Sequence, residues 1–169
     1  MKRFKKFLSF FLAIVLLLSS APVDVHATES SDETVISVES KYTVVGEEVS
    51  VDVLIENNPG ILGATLEFSY AEELTLVSAT AGEAFSYLSM TKPPKFQSPC
   101  RFIWDGTDGI AKDGTILTLK FSVAEDAELE KPFAISVTVP GGEIIDDDMN
   151  YVETTTKDGS VTVVDFKAG

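Results

Sequence analysis

The feature that most constrains this chain is a series of short segments in which apolar and polar residues alternate with period two, separated by turn-forming residues. Val49-Ser50-Val51-Asp52-Val53-Leu54-Ile55-Glu56 puts Val49, Val51, Val53 and Ile55 on one side of an extended strand. Thr115 to Val123 does the same with Leu117, Leu119, Phe121 and Val123. Val35–Val38, Ala64–Tyr70, Leu74–Val77, Arg101–Trp104, Phe133–Val139 and Ser160–Val164 complete about eight predicted strands. Asn57-Asn58-Pro59-Gly60 is the densest breaker cluster between them. Helical spacing is scarce. Ala81 to Ser89 fits either a short helix or an irregular loop, and Pro93-Pro94 excludes a continuous helix there. Such a pattern predicts two packed antiparallel sheets in one all-β domain.

The N-terminal stretch does not fit that pattern. Met1-Lys2-Arg3-Phe4-Lys5-Lys6 is basic, Phe7 to Leu18 is apolar but for Ser9, and Val25-His26-Ala27 has small residues at −3 and −1 of a cleavage site. The apolar run falls short of the roughly 20 residues of a membrane span. Residues 1–27 are therefore expected to be a removable export signal, 28–33 a polar flexible leader, 34–164 the domain and 165–169 a tail. The mature protein is expected to be secreted and off the membrane, since no Cys follows the signal to take a lipid.

Charge and missing residue types exclude much of the remaining function space. The chain has 13 Lys and Arg against 27 Asp and Glu. The signal would remove four bases and Asp24, leaving 9 against 26, a net −17. That field repels nucleic acid and anionic lipid. The single histidine, His26, leaves with the signal, so neither a Ser-His-Asp or Cys-His pair nor a His metal ligand is expected. G-x-S-x-G, P-loop and G-x-G-x-x-G motifs are absent, and no catalytic residue is assigned. Cys100 is the sole cysteine, so no intrachain disulfide can form. Asp146-Asp147-Asp148 offers clustered carboxylates, but neither it nor Asp105-Gly106-Thr107-Asp108-Gly109 has the spacing of an EF-hand loop. A solvated acidic loop is expected, with no metal or cofactor on this chain.

Three stretches narrow the reading. The first is Val45-Gly46-Glu47-Glu48-Val49-Ser50-Val51, followed by Asn57-Asn58-Pro59-Gly60-Ile61-Leu62-Gly63-Ala64 and the strand ending at Tyr70. The second is Phe102-Ile103-Trp104-Asp105-Gly106 and then Lys112-Asp113-Gly114-Thr115 to Phe121. The third is Pro140-Gly141-Gly142-Glu143-Ile144-Ile145-Asp146 with the closing Asp158-Gly159-Ser160-Val161-Thr162-Val163. In this order and separation they resemble a cohesin, the scaffold module of bacterial cellulosomes that captures dockerin modules.

The resemblance implies a nine-stranded antiparallel sandwich of jelly-roll topology, whose flat sheet face on strands 3, 5, 6 and 8 binds a dockerin. It implies dockerin-bearing enzymes or scaffold proteins as partners, a monomeric module, and calcium on the dockerin. Along Ala64–Tyr70 the apolar parity leaves Gly63, Thr65, Glu67 and Ser69 outward, and on the penultimate strand Ser136 and Thr138. Gly63 marks either a bulge or a close approach of a partner backbone. Cohesins of the first type often carry Asn and Asp at the positions of Gly63 and Thr65; their absence implies a divergent specificity. At Arg101–Asp105, parity leaves two arrangements open: Phe102 and Trp104 in the core, or Phe102 and Trp104 outward with Ile103 in the core. Matched onto a cohesin, Phe102 and Trp104 face the dockerin, and that placement is the expectation carried forward. The alternative function is a carbohydrate-binding module, which needs a row of exposed aromatics for sugar rings. The chain has one Trp and four Tyr, mostly at core parity.

Overall fold

The period-two segments become the long strands of a two-sheet sandwich in the computed structural model, which describes residues 33–165. The expected signal, all but the last residue of the leader, and tail residues 166–169 lie outside the described residues. Twelve strand segments follow one another: β1 (Thr34–Val38), β2 (Lys41–Thr43), β3 (Glu48–Glu56), β4 (Ile61–Tyr70), β5 (Leu74–Ala81), β6 (Ser89–Thr91), β7 (Cys100–Asp105), β8 (Gly114–Val123), β9 (Pro132–Thr138), β10 (Ile144–Asp146), β11 (Thr154–Lys157) and β12 (Gly159–Val163). The resemblance implies nine; β2, β6 and β10, of three residues each, are too short to leave an alternation in the sequence. The ambiguous stretch after β5 holds a single 3₁₀ turn at Glu83–Phe85, which tucks Ala84 and Phe85 into the core.

One sheet runs β11-β1-β3-β8-β5, the other β2-β12-β9-β4-β7-β6 with β10 beside β4. Most ladders are antiparallel, but β1–β11 and β2–β12 are parallel, which corrects the wholly antiparallel expectation at these two places. The cause is a shared crossing. The N-terminal stretch passes from one sheet to the other between β1 and β2, and the C-terminal stretch passes alongside it between β11 and β12. At that crossing Gly159 lies against backbone: a Cβ there would stand 2.3 Å from the Glu39 carbonyl oxygen and 2.5 Å from that of Val38. Only glycine fits.

The core lies between the sheets. Val49, Val51, Val53 and Ile55 of β3 and Leu117, Leu119, Phe121 and Val123 of β8 are buried, as their alternation requires. Facing them are Ala64, Leu66 and Phe68 of β4 and Phe133, Ile135 and Val137 of β9. Phe68 and Phe102 meet edge-on at 5.8 Å, and Tyr70 and Phe121 at 5.2 Å. Among the described residues no helix is long and apolar enough to cross a membrane.

One buried acid, Cys100, and one half-buried acid, Tyr70, give this fold an alkaline weakness. Burial, reinforced by the nearby Glu67 carboxylate, pushes the Cys100 thiol up to about 11, and burial pushes the Tyr70 phenol up to about 12. The unfolded chain ionises Cys near 9 while the folded chain holds its proton to about 11, so stability is present below pH 9 and falls as pH rises toward 11. Tyr70 adds a second loss above its ordinary value of 10. Urea midpoints should therefore drop between pH 8 and pH 10.5, and Cys100→Ala should flatten the earlier part of that drop. A midpoint constant over this range would refute it.

Candidate protein-docking face

The outward face of the second sheet is organised around β4. β7 flanks β4 along one edge, from Gly63↔Asp105 to Phe68↔Cys100. The other edge is shared between β9, from Glu67↔Thr138 to Tyr70↔Ile135, and β10, which pairs Ile144 with Ala64 and Ile145 with Gly63. β6 then adds to β7, setting Thr91 against Ile103 and Ser89 against Asp105.

These registers stack the outward side chains in rows across the strands. One row is Thr138–Glu67–Arg101, the next Thr65–Ile103–Thr91, the next Ile145–Gly63–Asp105–Ser89. In the first, Arg101 Nη2 and Nε donate to the same Glu67 carboxylate oxygen at 2.9 and 3.3 Å, and Thr138 Oγ1 donates to the Glu67 carbonyl at 3.5 Å. Arg101 and Glu67 are solvated enough that this pair fixes geometry more than it stabilises. In the second row Ile103 is 42% exposed, a large aliphatic side chain in the open centre of a sheet face.

The structure sorts the expected site residues. Thr138 is exposed, Gly63, Glu67 and Ser136 are half-buried, and Thr65 is nearly closed off, its N–H donating to the Glu143 carbonyl at 2.9 Å. Phe102 and Trp104 are the correction. They are 0% and 1% exposed, so they belong to the core and not to the face. The reason is register: Phe102 pairs with Leu66 and Trp104 with Ala64, both core-facing on β4, and neighbours in register share a face. Phe85 from the 3₁₀ turn closes on Trp104 at 5.7 Å, edge to face. Arg101, Ile103 and Asp105 take the outward parity instead.

Sequence reasoning missed Ile103 as a face residue, together with Ser89, Thr91, Ile145 and Tyr151. A usable signal existed for the first: β7 holds two large aromatics at one parity, and large aromatics are usually buried. No such signal existed for Ile145 or Tyr151, because a three-residue strand carries no period. Tyr151 is 76% exposed and bridges back to Ile145 across a turn held by Asp146, whose Oδ1 accepts the N–H of Asp148 at 3.0 Å and of Asn150 at 2.8 Å. Asp147 accepts the N–H of Gly109. Two of the three clustered acids thus hold backbone, and among the described residues no group of three or more His, Cys, Asp or Glu has metal-holding geometry.

The fold is a two-sheet β-sandwich whose second sheet carries an exposed aliphatic side chain at the centre of a polar outward face. The Cohesin domain family model matches residues 34–163, which run from the first strand to the end of the last. The chain belongs to the cohesin family.

Solved structures agree on the fold. A non-cellulosomal cohesin from the hyperthermophilic archaeon Archaeoglobus fulgidus is 25% identical, with a TM-score of 0.69 over 79% of this chain and 92% of that one. The cohesin of a type I cohesin–dockerin complex from Clostridium thermocellum is 18% identical, with a TM-score of 0.69 over 79% of this chain and 100% of that one. A type III cohesin from a cell-surface anchoring scaffoldin of Ruminococcus flavefaciens is 16% identical, with a TM-score of 0.69 over 80% and 91% of the two chains. No curated protein sequence gives a significant match.

Proposed function

We propose that this chain is a secreted, non-catalytic docking module that captures dockerin-bearing proteins, enzymes or scaffold components, in the assembly of a polysaccharide-degrading complex. Family membership supports the class of partner. The observation that carries the location is Ile103, 42% exposed between Thr65 and Thr91 on the open face. Four strands at ideal spacing and about six residues of length give a face of roughly 15 by 20 Å, enough for one α-helix of about 10 Å diameter to lie across it. An exposed aliphatic residue ringed by polar side chains is the composition of an interface centre. Export through residues 1–27 is part of the proposal; its support is the basic start, the apolar run and the Val25-His26-Ala27 ending.

Titration calorimetry against a panel of calcium-loaded dockerins tests this. At least one should bind, and Ile103→Asp should weaken it by about tenfold or more while leaving the melting temperature within a few degrees. Chelating and desalting the cohesin alone before mixing should leave the affinity intact, because calcium belongs to the dockerin in this reading. N-terminal sequencing of secreted material should begin at Thr28. Failure of every dockerin, with retardation in soluble-polysaccharide gels instead, would favour the carbohydrate-binding alternative. That alternative has thin support, since the exposed Tyr42 and Tyr151 stand in different parts of the sheet and form no row.

A further inference from the structure

At the β10 end of the face an open hollow of about 320 Å³ is bounded by Gly63, Thr65, Asp105, Glu143, Ile145 and Tyr151. Its chemistry is lopsided. Gly63 offers no side chain, and the space where its Cβ would stand is bordered by Ile145, whose Cγ1 would be 3.3 Å and Cδ1 3.5 Å away. Thr65 is 8% exposed. The apolar side-chain surface it offers is therefore mainly that of Ile145 and Tyr151, and Ile103, 42% exposed, stands one row along, in register with Thr65. The two acids, Asp105 and Glu143, make no ion pair with a cation among the described residues, and Arg101, on the same strand as Asp105, is already bound to Glu67.

We infer that this hollow is a specificity socket that takes a bulky apolar side chain flanked by Lys or Arg, projected from a helix of the docking partner. The inference rests on the docking function proposed above and adds which chemistry the face selects. An apolar side chain entering the hollow is removed from water against Ile145 and the Tyr151 ring. A carboxylate placed there would lose water and meet two like charges with no cation among the lining side chains in return. The two unpaired acids favour a cation beside the apolar residue and disfavour an acid by like-charge repulsion, which is discrimination against wrong partners as much as attraction to the right one.

Display selection tests it directly. A library of calcium-loaded dockerins, randomised at the exposed positions of their helices, is selected on the wild-type domain, on Ile145→Asn/Tyr151→Ala and on Asp105→Asn/Glu143→Gln. Wild type should enrich one position in Leu, Ile, Val, Met or Phe with a neighbouring Lys or Arg. The first double variant should lose the apolar preference and bind the wild-type winners about tenfold more weakly. The second should lose only the Lys/Arg preference, along with the salt dependence of association. Melting temperatures close to wild type verify that both variants are folded. Enrichment of Ser, Thr or acids by the wild type, or the same winners on all three proteins, would overturn the socket while leaving dockerin capture standing. If the library yields no binder on the wild type although a dockerin-binding control domain selects from it, the docking reading itself fails and the socket with it. A wild-type dimer that the Ile145→Asn/Tyr151→Ala exchange dissolves would assign the hollow to a second copy of this chain and also overturn the proposal.

Discussion

Trp104→Ala should cost about 3–5 kcal/mol of stability, the range for truncating a large buried aromatic. Trp104 is 1% exposed and closes a chain of rings, with Phe85 at 5.7 Å, Phe102 at 6.3 Å, and Phe102 in turn stacked on Phe96 at 6.2 Å. Ala64 of β4 and Met90 of β6 sit in register on either side, and a strand backbone cannot collapse far into the void. For a marginally stable domain that loss is a large part of the total, so the variant should be mostly unfolded well below the wild-type melting temperature. Trp104→Phe separates packing from polarity. The indole Nε1–H is buried without a hydrogen-bond partner among the described residues, so its removal relieves an unsatisfied donor while most of the ring remains. That exchange should cost less than about 1.5 kcal/mol. Urea unfolding of the pair decides it: equal and small losses for both, with dockerin binding abolished, would put Trp104 on the face after all.

The Trp104 result shows where the sequence was legible and where it was not. On β3 and β8 the alternation has one interpretation, because four apolar residues at one parity, Val49, Val51, Val53 and Ile55 or Leu117, Leu119, Phe121 and Val123, outweigh a lone Leu54 or Ile116 at the other, and those strands form as expected. β7 is different. Its residues 101–105 carry apolar side chains at both parities, Phe102 and Trp104 at one and Ile103 at the other, so period alone does not decide which set is inside. Pairing with β4 decides it, and pairing is a property of the whole sheet. The family resemblance gave the correct sheet and the wrong parity for this strand. The half of the candidate site built by β10 and the turn after it was not legible at all. Ile144–Asp146 is too short to show a period, and the exposure of Tyr151 depends on a turn that Asp146 and Asn150 close through backbone and side-chain bonds.

The breaker cluster before β4 was legible as a turn, but its larger role emerges only in three dimensions, and it supports the second large effect. Asn58→Ala should destabilise the domain by about 2–4 kcal/mol, because several buried partners are orphaned at once. Asn58 is 6% exposed. Its Oδ1 accepts the N–H of Gly60 at 3.0 Å and of Ile61 at 3.1 Å, which fixes the turn into β4. Its Nδ2 donates to the carbonyls of Lys112 at 2.9 Å and Ile110 at 3.3 Å, and its own N–H donates to Asp113 Oδ1 at 2.9 Å. One side chain thus clamps the loop before β8 onto the start of β4. The two backbones run so close that a Cβ on Gly109 would stand 2.3 Å from the Gly60 carbonyl oxygen. Gly109 in turn donates its N–H to Asp147, in the turn that carries Tyr151 to the docking face. The clamp therefore reaches the socket through two steps, and whatever Asn58→Ala protein remains folded should dock more weakly than its melting temperature alone explains. Asn58→Asp gives an independent test of the polarity. It keeps an acceptor for Gly60 and Ile61 but turns a carboxylate toward two carbonyls, so the folded state should hold the carboxyl proton above the ordinary value of about 3.9. A raised folded-state value means that the unfolded chain ionises first, so this variant should lose stability as pH rises from 4 to 7 and regain it on acidification. Guanidinium unfolding at pH 4.5 and pH 7 reads the difference. A variant whose gap to wild type does not widen at the higher pH would show that the donated bonds to Ile110 and Lys112 contribute little, and that the turn is held by its Pro-Gly geometry instead.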